Sequence, residues 1–534
     1  MGEILLLLHE VIPPSLMDSS LQILDTDKIS LESHGNAANM LDIARFHVYK
    51  GVLTNNQQLI FDVQQSLINS ITTDSTRLEG LQNDGSFLEH GPQLQIGSYG
   101  KAFSLNVVRL LYYLKGTKWE LDVSEASDFY NFVRVAQCNS IVNNSWDFNT
   151  VGRGISRENY LSTWLVDEGF NFLNQITYMK ELDTSHLSFY EQWEKKSSNL
   201  DLQTNIFYPK ADFMIHHNRG IHFSVRLTST RTAETETGNN ENMKGNYLGD
   251  GANCIMNNGT EYFNLMPCWN WHKIPGTTCR QSNIYPKRKN WGRNFGNTNF
   301  VGGLSNGRNG ITVMLYKKDS VTAKKSWFFF DNEMICLGAG ISSNSNDTIC
   351  TTIDQSRFTG GFYINGLKQH KIKQNYAVRA SVINHNNIQY KLLDNQSYYV
   401  STSAREGAWN AINLSQTDEV KKDTVFELYI NHGTKIKNES YAYSVSSGRV
   451  NENNGVNQII NTDSVQVVMN AEKDLFGVVF YKALSISFKT LNVTVDHPCV
   501  VLIDKGVVLV VDPAGRSKKV DCVIKKAKGV VSSF

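Results

Sequence analysis

Near residue 200 the spacing of apolar residues changes from one period to another, and that change divides what this chain can fold into. Before it the period is helical. In residues 56 to 72, Ile60, Val63, Leu67 and Ile71 recur at spacings of three and four, which places them on one helical face. Phe103, Val107, Leu110, Leu111 and Leu114 form a second stripe, and Gly116 suits its end. Ser124 is predicted to cap a third helix, with Phe129, Phe132, Val133 and Ala136 as its buried face. A fourth is predicted through Leu161 and Leu165 to Leu173 and Ile176. Repeated amphipathic helices with short polar connections imply antiparallel helical hairpins packed side by side.

Beyond residue 200 the segments are β-branched and aromatic, and Gly/Asn-rich turns separate them. IHFSVRLTST (221–230), ITVMLYKK (311–318), SWFFFDNEMICLGAG (326–340) and YAVRASVI (376–383) read as strands of a large antiparallel region. VQVVMN, FGVVFYKALSISF, CVVLID and GVVLVVD repeat the pattern at smaller scale before a basic tail. The expected class is α+β and multidomain: a helical domain over 1–198, a large antiparallel β domain over 199–462, and a small C-terminal β sandwich over 463–534.

A chain of 534 residues exceeds what one core usually serves, and 41% hydrophobic content with only 9 prolines provides packed cores rather than disorder. The formal charge of +1 gives no global attraction for a polyanion, so an anionic partner must be met by a local group of arginines, and nucleic acid is not expected. The eight cysteines are far apart and form no CxxC pair or zinc-spaced cluster, so they read as buried thiols. The opening MGEILLLLHEVIPP lacks the basic start and the length of an export signal, and no later stretch is long enough to span a membrane.

Three segments concentrate chemistry. NDGSFLEHGPQLQIGSYG (83–100) sets Asp, Glu, His and Tyr among glycines between helices; a compact loop brings His90 and Tyr99 to one pocket, or both are merely structural. SWDFNTVGRGISR (145–157) carries Arg153 and Arg157 four apart, either as paired forks for a carboxylate or sulfate or as two solvated surface arginines. TAETETGNNENMKGNYLGDG (232–251) offers carboxylates and amides that line a polar cleft or decorate a turn.

The runs DGSFLEHGPQLQIGSYG, DFNTVGRGISR, ETGNNENMKGNYLGDGAN, EYFNLMPCWNWHKIPGTT and KKSWFFFDNEMICLGAGISSN, in that order, resemble polysaccharide lyase family 8, and within it the chondroitin AC lyases. The resemblance extends from about residue 1 to residue 530. It implies an incomplete α/α toroid followed by a multi-sheet antiparallel domain and a smaller sandwich. It also implies a reaction: removal of the C5 proton of a glucuronate and expulsion of the oxygen on C4, leaving a 4,5-unsaturated uronate. The expected substrate is therefore an anionic polysaccharide such as chondroitin or hyaluronan, and no cofactor is expected.

By the same resemblance Asn39, in NAANMLDIA, donates to the substrate carboxylate, with Asn36 as a substitute, and His90 sits beside that carboxylate as helper or as a competing base. Tyr99 moves the proton. An unperturbed phenol titrates near ~10 and needs a cation beside it to act near neutrality, and Arg153 matches the family arginine in that position. Protonated, the same phenol donates to the departing oxygen. Arg157 binds the sugar acid or orients the pocket, and Glu236 holds His90 or an arginine. Asn239 contacts substrate, and Trp291 stacks on a sugar face or, alternatively, fills a core.

The chain departs from the family in two places. Where some relatives hold a cation through acidic residues it has Asn270, His272, Gln281 and Ser282, so no metal is expected there. Relatives also carry helical hairpins, an Asn-Trp-Trp sugar platform and an export signal before the point where Met1 falls. A shortened toroid with weakened activity is the expectation, in a protein that by resemblance is secreted or periplasmic. The rival readings are a hyaluronate or xanthan lyase of the same family and a non-catalytic glycan-binding remnant.

Overall fold

The computed structural model describes residues 2–24, 38–166, 171–195, 203–218, 220–286, 288–291, 293–369, 376–379, 382–448, 458–488, 491–515, 520–526 and 529–533. Two compact units result, Met1–Trp146 with Ser162–Ser197, and Asp147–Leu161 with Ser198–Phe534.

The first unit is helical. Helix Ala38–Leu53 packs against Gln57–Ile71 and against Tyr99–Leu114, which in turn packs against Phe172–Leu182. The Asn56 side chain caps Gln57–Ile71 by accepting from the amides of Gln58 (3.1 Å) and Leu59 (3.3 Å), and the stripe Ile60, Val63, Leu67 and Ile71 is buried. The stripe from Phe103 to Leu114 is buried as well, and Gly116 follows with φ +73°.

Two helix boundaries differ from the reading of the sequence. Ser124 is not a cap: the third helix begins at Ser127, Ser124 gives only its carbonyl to the turn, and the helix widens into a π turn over Phe132–Gln137. The four apolar residues of that segment are nonetheless buried. The fourth helix does not include Leu161 or Leu165, which lie in turns. It starts at Phe172, where Asn171 and Asn174 exchange side-chain and backbone bonds in a capping box that fixes the N-terminus.

The sheets of the second unit are antiparallel throughout. Thr204–Tyr208, Phe213–Asn218, Ile221–Arg226 and Ala252–Met256 form a four-stranded meander. A nine-stranded and a five-stranded sheet follow. Segment 326–340 proves to be a hairpin, Val321–Phe330 against Glu333–Ser343, turned by Asp331 at φ +52°. Trp327, Phe329, Met334, Tyr443 and Val445 of the larger sheet meet Ile353, Phe426, Leu428 and Ile430 of the smaller in one core.

The C-terminal strands pair into a five-stranded and a four-stranded sheet. Alternation decides their packing. Val468, Val479, Val500 and Leu502 face Ile311, Val313 and Phe328 of the nine-stranded sheet, whereas Val467, Val478, Val501 and Ile503 face Val493 and Ile524 of their own partner sheet. Gly477 permits that approach, since a Cβ there would stand 2.7 Å from the Phe328 ring.

Asp354 lies inside the sheet core and accepts from the hydroxyls of Tyr390 (2.5 Å), Ser356 (2.8 Å) and Tyr262 (2.9 Å). Burial pushes its carboxyl up to about 6, against the pull of those three donors. From about pH 4 to about 6 the folded chain keeps a proton that an unfolded aspartic acid has released, so stability falls as pH rises through that window. The fall amounts to as much as about 3 kcal/mol. Denaturant titrations from pH 4 to 7 are expected to show this slope in the parent protein and its loss in Asp354→Asn; equal slopes would mean that the carboxyl is ionised.

Candidate active site

The residues singled out in the sequence fall into two groups, one in each unit. In the helical unit, Gly80–Leu81 pairs with Phe87–Leu88, and the chain returns through an isolated bridge between Leu88 and Leu94. The turn between places His90 in the left-handed region at φ +58°, and Glu79 fixes it by accepting from the Gly91 amide at 2.5 Å. Tyr99 is the first residue of its helix. The Gly100 amide donates to the Gln95 carbonyl at 2.8 Å, so close that a Cβ at residue 100 would lie 2.9 Å from that oxygen. The His90 and Tyr99 rings thereby meet edge-on, with centroids 4.9 Å apart at 65°, and both are half-buried. Asn39 stands exposed in the first turn of Ala38–Leu53 and makes no side-chain hydrogen bond among the described residues. Asn36 lies outside the described residues.

In the β unit the arginine segment is pinned to the four-stranded meander. Asp147 accepts from the Asn149 amide at 2.8 Å and lies 2.9 Å from His222 Nε2, and Asn149 Nδ2 donates to Ser224 Oγ and to the Ala252 carbonyl, each at 3.0 Å. A short helical turn over Gly152–Ser156 then presents Arg153. Arg153 pairs with Glu236 through Nη1, and its Nε is 3.3 Å from Glu241. Its guanidinium also lies over the Trp291 ring, 5.0 Å from the centroid. Arg157 grips Glu241 with two nitrogens, Nε at 3.0 Å and Nη2 at 2.9 and 3.0 Å. Two guanidiniums face two carboxylates, so the group as a whole is neutral.

The carboxylates ride on loop 234–242, which is itself braced. The Asn242 amide donates to Ser156 Oγ at 3.0 Å, and its side-chain Nδ2 donates to the Glu236 carbonyl at 2.9 Å. Buried Arg288 donates to the carbonyls of Thr235 and Asn242 and lies 3.8 Å from Glu234, which also pairs with Lys318. Asn239 is exposed at the tip with φ +51°. Trp291 is 45% exposed, against the core alternative, and lies on the backbone of Gly238, where any Cβ would come within 2.6 Å of the ring.

Glu236 pairs with Arg153, an arginine being one of the two partners expected for it. Glu241, Asn242 and Arg288 were missed. Only the density of acidic and amide residues in ETETGNNENMK pointed toward the first two, and a tight turn that folds this run back on itself is not visible in residue spacing.

All eight cysteines are buried and free. One of them, Cys254, joins Asp147 and His222 in a buried group whose ligand atoms lie within 4.8 Å of one another, drawn from segments too distant for a spacing motif. Burial, reinforced by Asp147, raises the Cys254 thiol far above its usual range. Within the group His222 Nδ1 lies 3.1 Å from His217 Nε2, and its other nitrogen meets Asp147. In segment 270–282 the amide of His272 donates to Asn270 Oδ1, and Gln281 donates to the His272 carbonyl. The His272 ring stacks on Tyr285 at 4.2 Å, and burial, aided by Arg280, lowers its pKa.

Models of the N-terminal α-helical, super-sandwich and C-terminal β-sandwich domains of polysaccharide lyase family 8 match residues 8–194, 203–454 and 459–521. A Chondroitinase-AC of Pedobacter heparinus is 35% identical over 505 residues, covering 90% of this chain and 70% of the relative. The hyaluronate lyase HylB of Enterococcus faecalis is 24% identical, and the match covers 83% of this chain and half of that protein. A chondroitinase AC lyase solved with oligosaccharides superposes with a TM-score of 0.91 at 30% identity, over all of this chain and 81% of the other. The helical unit, the two packed sheets and the C-terminal sandwich are thus those of a known architecture, and the chain belongs to polysaccharide lyase family 8.

Proposed function

We propose that this protein cleaves glucuronate-containing glycosaminoglycans by β-elimination, with chondroitin as the principal substrate class. The observation that carries this reading is the His90–Tyr99 pair, a phenol held against an imidazole at a helix start by a turn with no slack. Tyr99 as phenolate takes the C5 proton, and the C5–H electrons form the C4–C5 double bond as the C4–O4 bond breaks. The resulting phenol then returns its proton to O4. Protons balance across the cycle, and no other reactant enters. Charge that develops on the substrate carboxylate calls for donors, and Asn39 and His90 are assigned that part.

Arg157 is assigned to the sugar acid. It spends Nε and Nη2 on Glu241, and Nη1 makes no hydrogen bond among the described residues, while the side chain is 35% exposed. Arg153 is assigned to tuning and orientation; Glu236 and Glu241 offset its charge, so any effect on a phenol is smaller than that of a bare guanidinium. Trp291, 45% exposed, offers its ring to a sugar face, and Asn239 extends from loop 234–242 next to Gly238, on which that ring lies. No helix among the described residues is long and apolar enough to cross a membrane. A polyanionic polymer does not cross a bilayer, so we place the activity outside the cytoplasm, in the periplasm or medium.

Incubation with unsulfated chondroitin, chondroitin sulfate and hyaluronan, each alone, tests the reading. Ultraviolet absorbance of the new double bond is expected to rise with both chondroitins. Absorbance only with hyaluronan would reassign the substrate, and polymer binding without absorbance would leave a glycan-binding protein.

A further inference from the structure

We propose that the β unit carries a second anion site, a cleft that holds the polymer's carboxylate and sulfate groups without taking part in cleavage. This rests on the reading that the substrate is an anionic glycan.

The cleft, about 880 Å³, is walled by three adjoining stretches of chain and by Asn297, whose Nδ2 donates to the Lys317 carbonyl at 3.0 Å. One is the turn Lys317–Thr322 between strands Gly310–Lys318 and Val321–Phe330. The second is Ser342–Asn344 at the end of the neighbouring strand, paired through Val321 with Ser343 and Thr322 with Ser342. The third is Lys435–Lys437, tied to the second by the Ser343 amide on the Ile436 carbonyl (3.0 Å) and the Lys435 amide on the Ser345 carbonyl (2.9 Å). Its walls are therefore a hairpin turn, a strand end and the connection between strands Val420–Gly433 and Glu439–Ser447, joined to one another by backbone bonds.

Four lysines and one aspartate line this space. Lys318 is occupied, pairing with Glu234 and Asp250. Lys317, Lys435 and Lys437 are exposed, and among the described residues none of them is paired with a carboxylate. Asp319 accepts the Tyr247 hydroxyl at 2.8 Å and is turned to that bond. Three exposed cations against one engaged carboxylate make a local positive excess in a chain whose formal charge is only +1. Ser342 and Asn344 add polar groups to the lining, and lysine stems offer apolar sides to a sugar ring. None of these residues belongs to the groups assigned to cleavage. A long polyanion held there gains a second point of attachment, which short fragments cannot use.

The test is direct binding, followed by kinetics, on the triple variant Lys317→Gln, Lys435→Gln, Lys437→Gln. A charge-matched control carries Lys391→Gln, Lys482→Gln and Lys505→Gln, and a rescue variant carries arginine at the three cleft positions. Binding of long chondroitin sulfate and of hyaluronan is measured by titration calorimetry on the Tyr99→Phe background, so that the result does not depend on turnover. The cleft variant is expected to lose roughly tenfold in affinity for long polymer at low salt, with tetrasaccharide affinity unchanged, while the control and the arginine variant keep parent values. In the active background the same loss appears in KM for polymer, with kcat unchanged. Loss with chondroitin sulfate alone assigns the cleft to sulfate, and loss with both polymers assigns it to carboxylate. Unchanged polymer affinity, an equal loss for the tetrasaccharide or in the control, or displacement of the polymer by single-stranded DNA of equal charge overturns the proposal.

Discussion

Tyr99→Phe is expected to lower turnover about 10³-fold or more while leaving oligosaccharide affinity within about fivefold of the parent. The substitution deletes one oxygen and keeps the ring. The edge-on contact with His90, at 4.9 Å between centroids, is therefore retained, as is the helix start that the Gly100 amide fixes on Gln95. What is lost is the group assigned to both proton transfers, so the two halves of the elimination fail together. Initial rates from the ultraviolet absorbance of the unsaturated product give the first quantity, and calorimetry with a hexasaccharide gives the second. Residual turnover within about tenfold of the parent would remove Tyr99 from the mechanism, since general acid–base catalysis contributes at least ~10²-fold where it operates. His90→Gln then decides whether the imidazole holds the role instead.

The sequence made visible those features that periodicity or local chemistry encodes. The stripes from Ile60 to Ile71 and from Phe103 to Leu114 are buried because a helix with one apolar face has only one way to shield it. The change to period two near residue 200 announced the sheets, and alternation along Val465–Asn470 even sorts side chains between two cores. Helix ends were less visible. Ser124 has the right chemistry for a cap, yet the helix begins at Ser127, because a cap acts only where the chain already turns. At the site, Arg153 and Arg157 stood out by their spacing and Glu236 by the family resemblance, but Glu241 and Arg288 did not stand out. Glu241 gains its place only when Gly238 and the left-handed Asn239, Asn240 and Asn242 curl the loop back toward the arginines. The buried Asp147–His222–Cys254 group was invisible for a similar reason, as strand pairing assembles it from three segments.

The loss of Arg153 is expected to weaken folding as well as activity, which makes it a test of how the β unit holds its arginine and carboxylate group. Its side chain is 10% exposed and faces Glu236 and Glu241, which are 4% and 8% exposed. Arg153→Ala withdraws the cation between two nearly buried carboxylates and leaves Arg157 to face Glu241 alone. Breaking a buried pair on one side costs about 3–5 kcal/mol, because the remaining charge keeps its desolvation penalty without the attraction that offset it. Arg153→Met combined with Glu236→Gln removes both charges and keeps similar bulk beneath Trp291, so most of that stability is expected to return. Activity is not expected to return with it if the guanidinium itself serves the reaction. Denaturant melts of the parent, the single variant and the double variant, read beside kcat and KM on chondroitin, separate the two effects. Recovery of turnover together with stability in the double variant would reduce Arg153 to a structural counter-ion. A stable Arg153→Ala protein would show that Glu236 does not rely on this arginine to remain buried.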